Sequence, residues 1–197
     1  MICGIVLAAG DSSRMGKPKA LLEYRDGTFL EAICKTMHAA GIYSVTVVLG
    51  AHADEIRKKW HGRHEHALVN PNPSEGPLSS VQIALRNMPV YAGAAVVAQV
   101  DQPMVSCAVY KSLVETWRKN PGSIVIPKFK GKRGNPVLLD AKVWPLCFEA
   151  PPEHSLEWIT RHKKVSTVEI DVADETVVMD IDTPEQYAAL LSLKSGK

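Results

Sequence analysis

The chain alternates between two hydrophobic periods, and that alternation limits the folds open to it. Cys3 to Ala8 (CGIVLA), Val45 to Leu49 (VTVVL) and, with one Gln, Ala94 to Val100 (AAVVAQV) are continuous runs of apolar and small residues. Such runs suit strands buried on both faces, as in a parallel sheet covered by helices. Between the first two, Thr28 and Glu31 have capping-box spacing, Leu30, Ile33, Cys34 and Met37 line one helical stripe, and Gly41 supplies the stop. The spacing predicts further helices over Ala53–Trp60, Leu78–Arg86 and Ser106–Arg118, the last with Val109, Leu113 and Trp117 facing inward, and a short strand over Ala67–Val69. Right-handed βαβ units follow, so the first 120 or so residues are expected to form a three-layer α/β/α sandwich around a mainly parallel, Rossmann-like sheet.

The remainder is less regular. Strands are expected over Ser123–Pro127, Pro136–Leu139, Val165–Ile170 and Thr176–Met179, and helices over Ser155–Arg161 and Pro184–Leu191. Asn70 to Pro77 (NPNPSEGP) fits a loop between strand and helix better than a linker, and no repeat is present, so residues 1–197 are read as a single domain.

Composition narrows the function. With 197 residues, 46% apolar and 22% charged, the chain is large enough for a core without staples, and 23 basic against 21 acidic residues leave a net charge of +2 that offers no global field for a nucleic acid. Cys3, Cys34, Cys107 and Cys147 are widely spaced with no Cys-x-x-Cys pair, which argues against a structural zinc or a disulfide framework. No basic residue precedes the apolar start, and Asp11 and Arg14 follow it; a buried strand is expected there, not a secretory leader, and the protein is expected to be cytoplasmic, with no membrane partner.

Chemistry concentrates in Leu7 to Leu22 (LAAGDSSRMGKPKALL), at the carboxyl end of the first strand, where open α/β sheets bind ligands. Ala8, Ala9 and Gly10 allow close approach to the backbone, Ser12 and Ser13 offer hydroxyls, and Arg14, Lys17 and Lys19 supply charge suited to a polyphosphate. An ordinary solvated loop is the bland alternative. The run is neither a Walker loop, since Gly10 and Gly16 enclose five residues and Pro18 follows Lys17, nor a dinucleotide fingerprint, since Gly-x-Gly-x-x-Gly is absent from it.

The same run resembles the signature Leu-Ala-Ala-Gly-x-Ser-x-Arg-Met-Gly-x-x-Lys of the MobA-like nucleotidyltransferases, and within them the molybdenum cofactor cytidylyltransferases, whose version reads Arg-Met-Gly-x-Pro-Lys. Leu7, Ala8, Ala9, Gly10, Ser12, Arg14, Met15, Gly16, Pro18 and Lys19 fill the fixed positions. Asn70 to Val81 is similar to the family's base-binding region, with Gly76, Ser79 and Ser80 as candidate nucleotide contacts; helix capping is an equal reading of the two serines. Val100 to Pro103 (VDQP), Arg133 to Leu138 (RGNPVL) and Asp180 to Glu185 (DIDTPE) extend the likeness.

The resemblance implies the nucleotide-diphospho-sugar transferase type of fold and a Mg2+-dependent transfer of CMP from CTP to molybdopterin cofactor, a small phosphorylated acceptor, with release of pyrophosphate. It also implies a molybdoenzyme client. The expected catalytic residues are Arg14, Lys19 and Asp101. Asp101 should project from the sheet's carboxyl edge as a metal ligand; Asp182 is the candidate second ligand, with helix capping as its rival, and Asp180 is read as structural. An acceptor phosphate is already ionised, so no general base is needed. The alternatives are transfer to a sugar or polyol phosphate and a catalytically silent nucleotide- or cofactor-binding chaperone.

Three other features carry less. Lys128 to Arg133 (KFKGKR) is the strongest local basic cluster and either holds an anionic acceptor or is a solvated loop. His61, His64 and His66 are separated by residues that suggest a turn and a strand start more than a metal site, and Trp60, Trp117, Trp144 and Trp158 read as packing residues.

Overall fold

In a computed structural model that describes residues 1–60, 62, 65–151 and 153–192, the first apolar run is β1 (Ile2–Ala8). A small hairpin, β2 (Glu23–Tyr24) and β3 (Gly27–Thr28), leads into α1 (Phe29–Ala39). The helix begins with the expected capping box, Thr28 and Glu31 satisfying each other's backbone N–H. It ends where Gly41 N–H donates to His38 O and Ile42 N–H to Met37 O, the paired bonds that close a helix at glycine. Then follow β4 (Ser44–Leu49), α2 (Ala53–Lys59), β5 (Glu65–Val69), α3 (Pro77–Arg86), β6 (Ala94–Gln99) and α4 (Cys107–Lys119). The later elements are β7 (Ser123–Phe129), β8 (Lys132–Arg133), β9 (Val137–Asp140), α5 (Trp144–Glu149), α6 (Leu156–Thr160), β10 (Ser166–Asp171) and α7 (Pro184–Ser192).

One sheet runs β5-β4-β1-β6-β9-β7-β10, with β8 paired to β7. The β1·β4, β1·β6, β4·β5 and β7·β10 pairings are parallel, whereas β9 lies antiparallel between β6 and β7. Strand alternation sorts the core into two layers. Val6, Val47, Val96 and Leu138 point to the side covered by Leu30 and Ile33 of α1, Ile56 of α2 and Leu113 of α4. Ile5, Val48, Val97 and Leu139 point to the side covered by Leu78 and Val81 of α3, Cys147 of α5 and Ile159 of α6. This is the expected three-layer α/β/α sandwich.

One expectation for the second half needs correction, and one helix is added to it. Thr176–Met179 is not a strand: Glu175–Val178 form a 3-10 turn, because Asp174 accepts from the Thr176 N–H and hydroxyl and curls the chain, which drives Val177 fully into the core. The Val177 carbonyl then accepts from Asn135 N–H at 2.8 Å, so the segment serves β9's approach instead of extending the sheet. Helix α5 was not expected; Pro145 lies in its first turn, where a missing N–H costs nothing, and Cys147 anchors it.

All four cysteines are free thiols. Burial pushes the thiols of Cys3 and Cys34 up from their ordinary range and that of Cys147 to about 12, which leaves them as packing groups. Among the described residues no helix is long and apolar enough to cross a membrane. His61 and His64 lie outside the described residues, and His66 is exposed on β5.

Candidate active site

Strand β1 has β4 on one side and β6 on the other, so chain order along the sheet reverses there and the loops leaving the carboxyl ends of the strands diverge. A crevice at such a point is where open α/β sheets hold ligands. Here it is a cleft of about 520 Å³, bounded by Leu7 to Arg14, by Pro73, Ser74, Gly76, Pro77 and Ser80, and by Gln99 to Asp101. Gly50 lets the walls come together: a Cβ at that position would stand 2.2 Å from the Ala9 carbonyl oxygen.

The loop after β1 is held from within. Ser12 adopts the left-handed region (φ 52°), its carbonyl accepts from Met15 N–H, and its Oγ accepts from Lys19 N–H at 3.1 Å. Ser12 therefore acts as the loop's clasp. Residues Ser13–Met15 form one 3-10 turn, and Gly16, at φ 65°, reverses the chain after it. Outside this arch the ring of His52 donates to the Asp11 carbonyl at 2.7 Å, a support that no local sequence signal announces. Gly10 is exposed, with open space where a side chain would stand, and Arg14 lies exposed on the cleft wall. Leu7, Ala8 and Ala9 also line the cleft, whereas Gly16 does not.

Across the cleft, Lys19 Nζ lies 3.3 Å from Asp101 Oδ2 and 2.5 Å from Asp182 Oδ1, so three sequence-distant candidates meet at one point. Asp101 follows β6, and its carbonyl accepts from Ile181 N–H, which docks the Asp180–Glu185 segment against the site. Ile181 is buried with Leu22, Tyr24 and Phe29, and the Tyr187 hydroxyl of α7 donates to Glu23 O. Burial pushes the Asp101 carboxyl up, against the pull of Lys19 and with the push of Asp180 and Asp182; the hydrogen bond from Lys19 holds the more open Asp182 down.

The rival reading of Asp182 as a helix cap does not hold. Thr183 caps α7, its Oγ1 accepting from Gln186 N–H while Gln186 Oε1 accepts from the N–H groups of Asp182 and Thr183. Asp180 is structural in its contacts, accepting from Gln102 Nε2 at 2.7 Å. Gln102, only 3% exposed, is a support that the sequence reading missed.

The residues present suit a hard divalent cation. Asp101 Oδ1 is buried in this polar cluster and has no hydrogen-bond partner among the described residues, leaving a carboxylate oxygen available beside a second carboxylate. No group of three or more His, Cys, Asp or Glu surrounds a common point among the described residues. That donor set matches the magnesium mode, one or two carboxylates completed by substrate phosphates and water, and it does not match a zinc cage.

On the opposite wall the two serines separate. Ser79 is saturated: its hydroxyl donates to Gly76 O at 2.6 Å and accepts from Asn70 Nδ2 at 2.8 Å, so it staples the start of α3 and lies off the cleft. Ser80 accepts from the same Nδ2 at 3.0 Å and does line the cleft, as does Gly76. Asn70, 2% exposed, thus organises this wall, and its Oδ1 also accepts from Asn72 N–H. An Asn opening a Pro-rich turn is a legible signal for such a residue, although only the fold shows which hydroxyls it reaches.

The basic Lys128–Arg133 segment is a β7–β8 hairpin with Lys130 and Gly131 both at positive φ. Arg133 and Lys128 are paired with Glu169 of β10 at 2.6 and 3.2 Å, and none of the segment lines the cleft.

Comparison with known proteins agrees with this geometry. Residues 4–167 match the family described as the MobA-like NTP transferase domain. Among curated relatives, the chain is 31% identical to nicotine blue oxidoreductase of Paenarthrobacter nicotinovorans, over 96% of each chain. It is 25% identical to the molybdenum cofactor cytidylyltransferase of Escherichia coli K12, over 93% of this chain and 92% of that one. It is 29% identical to the molybdenum cofactor guanylyltransferase of Xanthomonas euvesicatoria, over 95% and 93%. Of solved structures, the manganese complex of Rv0371C from Mycobacterium tuberculosis superimposes with a TM-score of 0.79 at 25% identity, over 97% of this chain and 98% of that one. A loop, a sheet order and a full-length likeness that all point the same way place this chain in the MobA-like NTP transferase domain family.

Proposed function

We propose that the protein is a Mg2+-dependent cytidylyltransferase that moves CMP from CTP to molybdopterin cofactor and releases pyrophosphate. The observation that carries this reading is the meeting of Lys19 with Asp101 and Asp182 beneath the arch of the β1 loop, with an Asp101 oxygen beside it that has no partner among the described residues. Cytidine is favoured over guanosine by the Arg14-Met15-Gly16-Lys17-Pro18-Lys19 form of the loop, and the cofactor as acceptor rests on the relatives named for that chemistry.

In this reading the triphosphate lies under the backbone of Leu7 to Gly10, with the open side of Gly10 admitting it and Ser12 and Gly16 holding the arch in shape. Gly76 and Ser80 face the base and ribose, while Ser79 acts through the helix start. Asp101 and Asp182 would hold the magnesium ion, which when bound neutralises phosphate charge and fixes the polyphosphate. Arg14 and Lys19 then meet the charge on the α-phosphoryl group and on the departing pyrophosphate. An acceptor phosphate oxygen forms the new bond to the α-phosphorus as the bond to the β-phosphate oxygen breaks, and no side chain has to take a proton.

The likeness to an oxidoreductase over the full chain supports a second reading, a redox enzyme on the same scaffold. One experiment separates them: pyrophosphate release with magnesium and each of the four ribonucleoside triphosphates, with and without molybdopterin cofactor, beside NADH and NADPH oxidation with dye acceptors. CTP-selective, acceptor-dependent release is expected. Release with GTP alone moves the specificity to guanylyl transfer, release only with a sugar or polyol phosphate changes the acceptor, and dye reduction without release sinks the transferase reading.

A further inference from the structure

Before nucleotide arrives, the point between the two carboxylates is taken. Lys19 Nζ is within 3.3 Å of Asp101 and 2.5 Å of Asp182, with its side chain only 13% exposed. Arg14 also faces Asp182 electrostatically. Lys19 and Arg14 thus offset most of the charge of Asp101, Asp182 and the more distant Asp180, which leaves the cluster little net negative charge with which to attract a free divalent ion.

We infer that Lys19 is an internal counter-ion that keeps the metal from binding alone, so that the divalent ion enters only together with the triphosphate. The inference rests on the nucleotidyltransferase reading above and adds an order of binding to it. A free divalent ion entering beside Asp101 would face an ammonium group a few ångströms away, and at that range like charges repel strongly in a partly buried site. Polyphosphate oxygens change the balance, because they offer Lys19 a richer partner than a single carboxylate and bring ligands of their own to the ion. The backbone allows the exchange. Lys19 is fixed at its N–H by Ser12 Oγ, but its ammonium lies at the end of a flexible stem that can turn from Asp182 toward the cleft without moving the loop.

The test is Mn2+ binding measured by electron paramagnetic resonance and calorimetry, on the full chain, with and without CTP. Wild type is expected to bind Mn2+ alone weakly and Mn2+ with CTP at least about tenfold more tightly, and Lys19→Met to bind Mn2+ alone about tenfold or more better than wild type while losing most of the CTP dependence. Lys19→Arg, which keeps the charge, should behave as wild type toward Mn2+ alone, and thermal unfolding of each variant checks that the fold is retained. Equal binding of Mn2+ alone by wild type and a folded Lys19→Met overturns the inference and leaves the transferase reading standing. No Mn2+ binding by either protein, with any nucleoside triphosphate, overturns both.

Discussion

Two basic loops of similar composition have opposite fates in this fold. The Arg14–Lys19 loop and the Lys128–Arg133 hairpin each carry three or more cations, and each finds carboxylates from distant parts of the chain. At the hairpin the match is superficial: Lys128 and Arg133 converge on Glu169 along two paired strands, on the outer part of the sheet. At the first loop it is incomplete and lines a cleft, with one Asp101 oxygen unpartnered among the described residues, Arg14 exposed on the cleft wall, and space above Gly10. A cluster of charge is a site where the fold leaves part of its bonding capacity unused next to a cavity; elsewhere it is a surface clamp.

The largest effect that would break this comparison is on turnover. Lys19→Ala and Asp101→Asn are each expected to lower kcat/KM for nucleotide transfer by about 10²- to 10³-fold, roughly 3–4 kcal/mol of transition-state stabilisation. Thermal unfolding should move little beside that loss, and equal turnover would remove either residue from the site. Asn70→Ala sharpens the contrast on the opposite wall. Removing its paired donors should cost about 2 kcal/mol of stability by chemical denaturation and raise the KM for nucleotide more than it lowers kcat, because Ser80 and the start of α3 lose their orientation. A stability loss with unchanged KM would make Asn70 purely structural.

Smaller effects are expected at the hairpin. The double substitution Lys128→Ala with Arg133→Ala should leave turnover unchanged, since neither side chain lines the cleft; a fall in activity would place the acceptor there after all. The pH dependence is the finest probe. The hydrogen bond from Arg133, with help from Lys128, holds the Glu169 carboxyl below its ordinary range. Its small contribution to stability is therefore present above the ordinary glutamate value of about 4.3 and is lost as pH falls through the lowered folded-state value. The stability gap between wild type and Arg133→Ala should close over that acid window and should shrink with added salt; a gap that persists below it would mean the pair stabilises by packing and not by charge.

How much was legible depended on range. The alternating runs, the Thr28–Glu31 box and the Leu7–Lys19 signature are local patterns, each decided within a few residues, and they led to the layered sheet and to the loop at its carboxyl edge. Thr176–Met179 was misread because its apolar residues have a strand's spacing, while Asp174 at its start turns the backbone and Val177 has a core position to fill. Helix α5 was missed because it is short and has proline in its first turn. Ser79 and Ser80 are identical neighbours in sequence, yet only one is free to line the cleft, since the start of α3 gives the other the Gly76 carbonyl.

The sequence by itself determined the architecture and which residue types stand at the sheet's carboxyl edge, because hydrophobic period and a compact loop signature act over short distances. Only the tertiary structure decided which charges are spent and which are available. Lys19, Asp101 and Asp182 are separated by 82 and then 81 positions along the chain, and the parallel pairing of β1 with β6, together with the docking of Ile181 on the Asp101 carbonyl, brings them within hydrogen-bonding distance. Ion pairing is a property of distance in space, and no local pattern encodes it.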